Sequence, residues 1–466
     1  MNPFRNILRL SAGDLLARIL SFLAFIYLAR VLGVDGYGVV EFALSVAIYL
    51  QAFTEGGLDL WATREVAQGK SVKRLVAQVV PLRFLLGLVG FGGLVLLLPL
   101  FPDYPQMGLL LVLFGLRAFS QSLDLRWVFM GQEKMRSVAT GLIIAQVVFA
   151  GAVFGLVKGP ADVVWVPIVQ LVGNLAMAGY FYYRFVASER TPLVRPTFRG
   201  IRLALGPSLT LGASRGLALL SFNFDTLLLG FLLGATAVGL YNAAYRPLTA
   251  LLTVSATYGL GLFPALSRAF SENSQQFSEL VLRSLRLTAI CAIPIGVGGS
   301  FLAAPLVELL FGADYAAAAP VLQLLSWSAM LVVLRVTFRQ ALAASGHQRL
   351  DLVCATVATS INVGLNLVFI PQFGIVGAAI ATLVSEVVWV SAAIFSSARL
   401  VPIPAVLMQL ARPTIAGAAM VGCFLVTSNL SWLLQPFIAG TAYLSVLLLL
   451  GDREVRSWVP RVPASS

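Results

Sequence analysis

Charge is what this sequence has least of: Asp, Glu, Lys and Arg make up 11% of its 466 residues, against 59% hydrophobic ones. An ordinary soluble domain carries about 25% charged residues. With a mean hydropathy of +0.90, the chain has more apolar surface than one aqueous core could bury, and it reads as an integral membrane protein. Histidine is nearly missing as well. A lone His347 in a short loop excludes a His-based metal site and a Ser-His-Asp triad. Cys291, Cys354 and Cys423 lie singly in apolar segments without CxxC spacing, so neither a disulfide framework nor a zinc site is expected. No GxxxxGK[ST] loop occurs, which argues against an ATP-driven pump. Acids are scarcer than bases, and the net charge is +12. The bases occupy short gaps between apolar runs, a pattern that sets orientation in a bilayer and does not suggest nucleic acid.

Long apolar runs are what the chain has in quantity. A helix needs about 20 apolar residues to cross the hydrocarbon core. Candidate spans run over 11–31, 36–60, 76–100, 107–129, 138–157, 162–186, 204–233, 237–263, 286–311, 318–343, 351–371, 374–397, 405–427 and 431–450. That is about fourteen spans in an all-α membrane protein. Arg5 and Arg9 precede the first run without a small-residue cleavage site, so that run is expected to be retained. With the N-terminus inside, the cytoplasmic gaps collect Arg64, Lys70, Lys73 and Arg74, then Lys134 and Arg136, then Arg184 to Arg202, and Arg268, Arg283 and Arg286. The opposite gaps hold Arg30 and Lys158. This bias predicts an even number of spans with both termini cytoplasmic.

Two stretches repeat one another. ARVLGVDGYGVVEFALS, from Ala29 to Ser45, overlays GFLLGATAVGLYNAAYR, from Gly230 to Arg246, at constant offset. Leu32-Gly33 falls on Leu233-Gly234, Gly38 on Gly239 and Ala43 on Ala244. Each is expected to close one span, cross a four-residue turn and open the next. A repeat in so apolar a chain implies two lobes and alternating access. The expected division is a six-helix lobe over 1–190, a second over 191–400, and two further helices with a cytoplasmic tail over 401–466.

These stretches, with GLDLWATREVA, DTLLLGFLLGATAVGLYNAAYRP, FPALSR, FGADYAAAAPVLQLLSWS and IPQFGIVGAAIATLVSE in that order, resemble the polysaccharide-unit flippases of the multidrug/oligosaccharidyl-lipid/polysaccharide exporter superfamily. The resemblance runs to about residue 400. It implies two six-helix lobes around a central cavity, often with extra C-terminal helices, in a bacterial inner membrane. It implies as substrate a polyprenyl-diphosphate-linked oligosaccharide carried from the cytoplasmic to the periplasmic leaflet, and leaves room for other polysaccharide-assembly proteins as partners beside the membrane lipids. No cofactor is expected, although coupling to H+ or Na+ is one source of drive.

The residue chemistry bears on the same question. Ionisable groups inside spans are costly and are kept mainly where they face a cavity or a partner. Arg18, Arg117, Arg215, Arg246 and Arg335 are the candidates for the diphosphate or the cavity wall, since a guanidinium offers two parallel hydrogen bonds and stays charged when desolvated. Arg117 lies about 15 Å from the outer end of its span, near mid-bilayer. Arg335 and Arg339, one turn apart, would repel unless an anion or water screens them. Asp14, Asp225 and Glu386 are candidates for ion coupling; Asp14 could instead pair locally with Arg18, or with Arg215 across the lobes, and the other two could be neutralised by Arg215 or Arg246. Gln121, Gln146, Gln170, Asn174, Asn223, Asn242, Asn362 and Asn366 either line a sugar route or hydrogen-bond between helices. Two alternatives stay open: a cation-coupled multidrug exporter of the same superfamily, expected to place acids in its cavity, and a membrane glycan polymerase or ligase, expected to carry a large extracytoplasmic loop.

Overall fold

The computed structural model describes residues 3–458, apart from 102, 103, 105, 190–203, 207, 209–211 and 213–222. Helices account for nearly all of it, and there is no strand among the described residues. In chain order they are α1 (Pro3–Glu55), α2 (Leu58–Ala67), α3 (Val72–Leu97), α4 (Met107–Gly115), α5 (Arg117–Ser122), α6 (Arg126–Gly131), α7 (Met135–Leu156) and α8 (Trp165–Glu189). They continue with α9 (Asn223–Leu232), α10 (Ala235–Glu272), α11 (Ser274–Phe311), α12 (Ala319–Ala344), α13 (Gln348–Ser396), α14 (Ile403–Val426), α15 (Gln435–Leu449) and α16 (Arg453–Trp458).

Among the described residues, ten segments are long and apolar enough to cross a membrane, and α9 and α15 are shorter apolar helices. Two of the ten are too long for one crossing. The apolar part of α1 has 43 residues and α13 has 49, whereas about 20 suffice. Each bends at a glycine with non-helical dihedrals, Gly33 (φ 70°, ψ 177°) and Gly374 (φ 61°, ψ −139°). Counting each bent helix as two crossings gives twelve; α15 stands where the span 431–450 is expected, and most of the expected span 204–233 lies outside the described residues, with α9 at its end. One expected span, 107–129, is not one helix: the segment Met107–Gly131 is divided at Leu116 and again between Ser122 and Arg126 into α4, α5 and α6.

The chain forms two compact units, residues 1–242 and 243–466. In the first, Trp127, Phe129 and Phe181 are buried with Leu58, Ala62, Val79 and Leu125, and the rings of Phe129 and Phe181 stack at 5.3 Å. In the second, α11 packs against α12 and α14. The two appended helices belong to that unit's core: Phe424 of α14 stacks on Phe301 at 4.8 Å, and Tyr443 of α15 donates to Ile290 O at 3.1 Å.

The repeated stretches end their helices in the same way, but not by the four-residue turn expected. A single glycine makes each break, Gly33 at φ 70° and Gly234 at φ 95°, and helix resumes at once. Only glycine adopts such angles without strain, which is why the repeat retains Leu-Gly there. The two stretches also meet within the first unit. A Cβ added to Gly38 would lie 1.8 Å from Ala235 O, and one added to Gly239 would lie 2.3 Å from Val34 O. Val34 and Ala235 are repeat equivalents, as are Gly38 and Gly239, so the crossing has the pairwise reciprocity of a local two-fold. Thr236 Oγ1 donates to Asp35 Oδ1 at 2.5 Å, again between equivalent positions. Nearby, Tyr104 donates to Gly230 O, and Phe42 packs edge-on to Phe101 and Phe231.

Candidate functional site

Most charges inside the spans are spoken for locally. Asp14 and Arg18, one turn apart on α1, pair at 2.8 Å in the acid-first order that suits a helix, with Arg18 half exposed. Arg215 lies outside the described residues, so the cross-lobe alternative for Asp14 does too. On α3, the fully buried Arg83 pairs with Asp59 of α2 and donates Nη1 to the carbonyls of Gln121 (3.4 Å) and Asp124 (3.2 Å). Those carbonyls belong to the break between α5 and α6, where the Gln121 carbonyl also accepts the Asp124 backbone N–H at 3.1 Å. Asp124 accepts the Arg126 backbone N–H at 2.8 Å, while the Arg126 guanidinium stands 3.7 Å from Asp124 and 3.8 Å from Asp59. Two aspartates and two arginines therefore balance one another and fasten α2 to the broken span. Asp59 was not among the residues singled out by sequence; its signal was an acid inside the expected span 36–60.

In the second unit Arg335 of α12 meets Glu386 of α13 through two bonds, Nε to Oε2 at 3.1 Å and Nη2 to Oε1 at 3.3 Å. Its guanidinium carbon also sits 3.4 Å from the centroid of Trp389, a cation–π contact. Glu386 is thus neutralised by Arg335, and the expected alternative partner Arg215 lies outside the described residues. Arg339 pairs with Asp351 at 3.4 Å, so each arginine of this face has its own acid and the two need no external anion. Arg246 is half-buried on α10 and has a partner of its own. Asn362 donates to Ser385 at 3.3 Å across the bend of α13, the interhelical reading, whereas Asn366 donates to Asn362 at 3.0 Å within one helical turn.

Two groups differ. Arg117, at the start of α5, has no acid within ion-pair distance among the described residues. Its Nη1 donates to Gln170 Oε1 at 3.3 Å and its Nη2 to Gln51 Oε1 at 3.5 Å, while the buried Nε has no partner. Leu116, with helical dihedrals (φ −60°, ψ −19°), joins α4 to α5, which begins at Arg117 with Gln121 one turn on. Gln51, from the second half of α1, was not picked out from the sequence, although it is a polar residue inside an apolar run. Asp225 on α9 is the acidic counterpart. It is buried, accepts the Tyr241 hydroxyl and the Thr226 backbone N–H at 3.1 Å, and pairs with no Lys or Arg among the described residues. No cluster of His, Cys, Asp and Glu able to hold a metal occurs among the described residues.

Comparison with known proteins places these features in a family context. A family model described as polysaccharide biosynthesis protein matches residues 4–270, and one described as MatE matches residues 213–368. The chain is 24% identical over 395 residues to a putative O-antigen transporter of Escherichia coli, covering 82% of this chain and 93% of that one. It is 26% identical over 260 residues to a probable low-salt glycan biosynthesis flippase of Haloferax volcanii, covering 55% of this chain and 54% of the relative. Among solved structures it resembles the lipid II flippase MurJ in an inward closed conformation, with a TM-score of 0.78 at 16% identity over 95% of this chain and 98% of that one. It also resembles an inward-facing multidrug MATE transporter, with a TM-score of 0.67 at 17% identity over 85% and 98%. At such identities the structural likeness speaks for the fold alone.

Proposed function

Because this chain belongs to the polysaccharide biosynthesis protein family, we propose that it flips lipid-linked oligosaccharide units across the membrane for cell-surface polysaccharide synthesis. It is a multi-pass membrane transporter and not an enzyme. The observation in the site that supports this reading is Arg117: a cation near mid-membrane whose only described partners are two glutamines. Holding an unpaired charge at that depth costs a few kcal/mol, a cost that an anionic passenger offsets. A multidrug exporter for cationic drugs needs the opposite polarity, and here Asp14 and Glu386 are tied to arginines.

Several finer points belong to the same proposal. The carrier lipid is a polyprenyl diphosphate, the membrane is a bacterial inner membrane with both termini cytoplasmic, and other polysaccharide-assembly proteins act beside it. For the drive we favour H+ or Na+ at Asp225, since of the three candidate acids it is the one without a described cation partner. Depletion of the protein tests the reading. Lipid-linked oligosaccharide should accumulate in a form shielded from a membrane-impermeant sugar-modifying reagent in intact cells. Sensitivity to cationic drugs without any such accumulation would favour the exporter instead.

A further inference from the structure

Arg117 carries one positive charge, and its surroundings define what can neutralise it. A guanidinium has five N–H donors; Gln170 and Gln51 take one each, and the buried Nε is open. Nε together with an Nη hydrogen forms the fork edge that grips a carboxylate through two parallel bonds. Two buried amide atoms in the same unit are open as well, Gln121 Nε2 and Gln146 Oε1. Gln121 is one turn along α5 from Arg117 and so shares its face. Gln146 is on α7, which packs on the α8 that carries Gln170. An open amide donor and an open amide acceptor suit sugar hydroxyls, which both give and take hydrogen bonds.

The charge count discriminates between parts of the substrate. Among the described residues of this unit, the intramembrane Arg18, Arg83 and Arg126 are already held by aspartates, so Arg117 brings one uncompensated charge. A diphosphate brings at least two negative charges and would leave one unmatched at low dielectric, where unmatched charge is expensive. A carboxylate matches it one for one. The geometry points to an acidic sugar: Arg117 receives the carboxylate of a uronic-acid-type residue within the lipid-linked oligosaccharide, the diphosphate being bound elsewhere. This rests on the flippase reading and specifies its substrate class.

The test uses the full-length protein in proteoliposomes with two synthetic polyprenyl-diphosphate disaccharides that differ only in a terminal glucose or glucuronate. Flipping is read as protection from membrane-impermeant periodate. The wild-type protein should move the glucuronate lipid at least about tenfold faster, as one bidentate charged contact supports. R117Q should bring that ratio near one, and R117K should fall between, since lysine keeps the charge and loses the fork. A wild-type ratio near one overturns the acidic-sugar inference and leaves the flippase reading standing. A high ratio unchanged in R117Q overturns the assignment to Arg117. Movement of neither lipid overturns the flippase reading, and this inference with it.

Discussion

Arg117 and Arg335 occupy the fourth crossing of the first and of the second half of the chain, and their surroundings are opposite. Arg335 is gripped on two bonds by Glu386 and covered by Trp389. Arg117 has two neutral amides and an open Nε. The same residue type thus serves two ends. A guanidinium with its own carboxylate is an internal strut that carries no net charge, whereas one held by amides keeps its charge for something else.

The comparison can be broken first at the strut. Glu386→Gln leaves Arg335 buried and unpaired, which should destabilise the protein by about 3–5 kcal/mol, read as a lowered melting temperature in detergent. The double variant R335Q/E386Q should recover most of that loss, because no charge is then left buried. At the other site the expected effect is on transport. Arg117→Gln removes no ion pair, so flipping should fall by about tenfold or more while the melting temperature moves little. Equal losses of transport and folded yield would instead assign Arg117 a folding role.

Gln170→Glu sharpens the comparison further by making Arg117 resemble Arg335. A carboxylate placed where Gln170 Oε1 now lies 3.3 Å from Nη1 should hold or raise stability and yet reduce flipping as far as Arg117→Gln does. Unimpaired flipping in that variant would contradict the need for an uncompensated cation. The smallest effect belongs to the repeat crossing. Thr236→Val deletes the exposed hydrogen bond to Asp35 and should cost no more than about 1 kcal/mol, visible in the melting temperature.

Much of this was legible in the residues. Apolar runs and the placement of arginines and lysines indicate a many-span helical transporter. The overlay of Leu32-Gly33 on Leu233-Gly234 marks two positions that break helices with left-handed glycines. The expected turn after each of them was too long, because nothing in GVDGYG or GATAVG says how few residues a positive-φ glycine needs to change direction. Gln121 and Gln170 are named from the sequence as polar residues in apolar spans, Gln51 is not, and none of them is grouped with Arg117. Gln51, Arg117 and Gln170 are far apart in the chain, on three different helices, and only packing brings them together.

The sequence by itself determined the class: composition and charge asymmetry require a membrane-spanning helical protein, and the ordered motifs identify the family. Which ionisable groups are neutralised was decided only by tertiary structure. Ion pairing depends on distances of a few ångströms between helices that are remote in sequence, as with Asp59 and Arg83, or Arg335 and Glu386. Composition counts charges without matching them, and the proposed function turns on Arg117, an intramembrane arginine with no acid within ion-pair distance among the described residues.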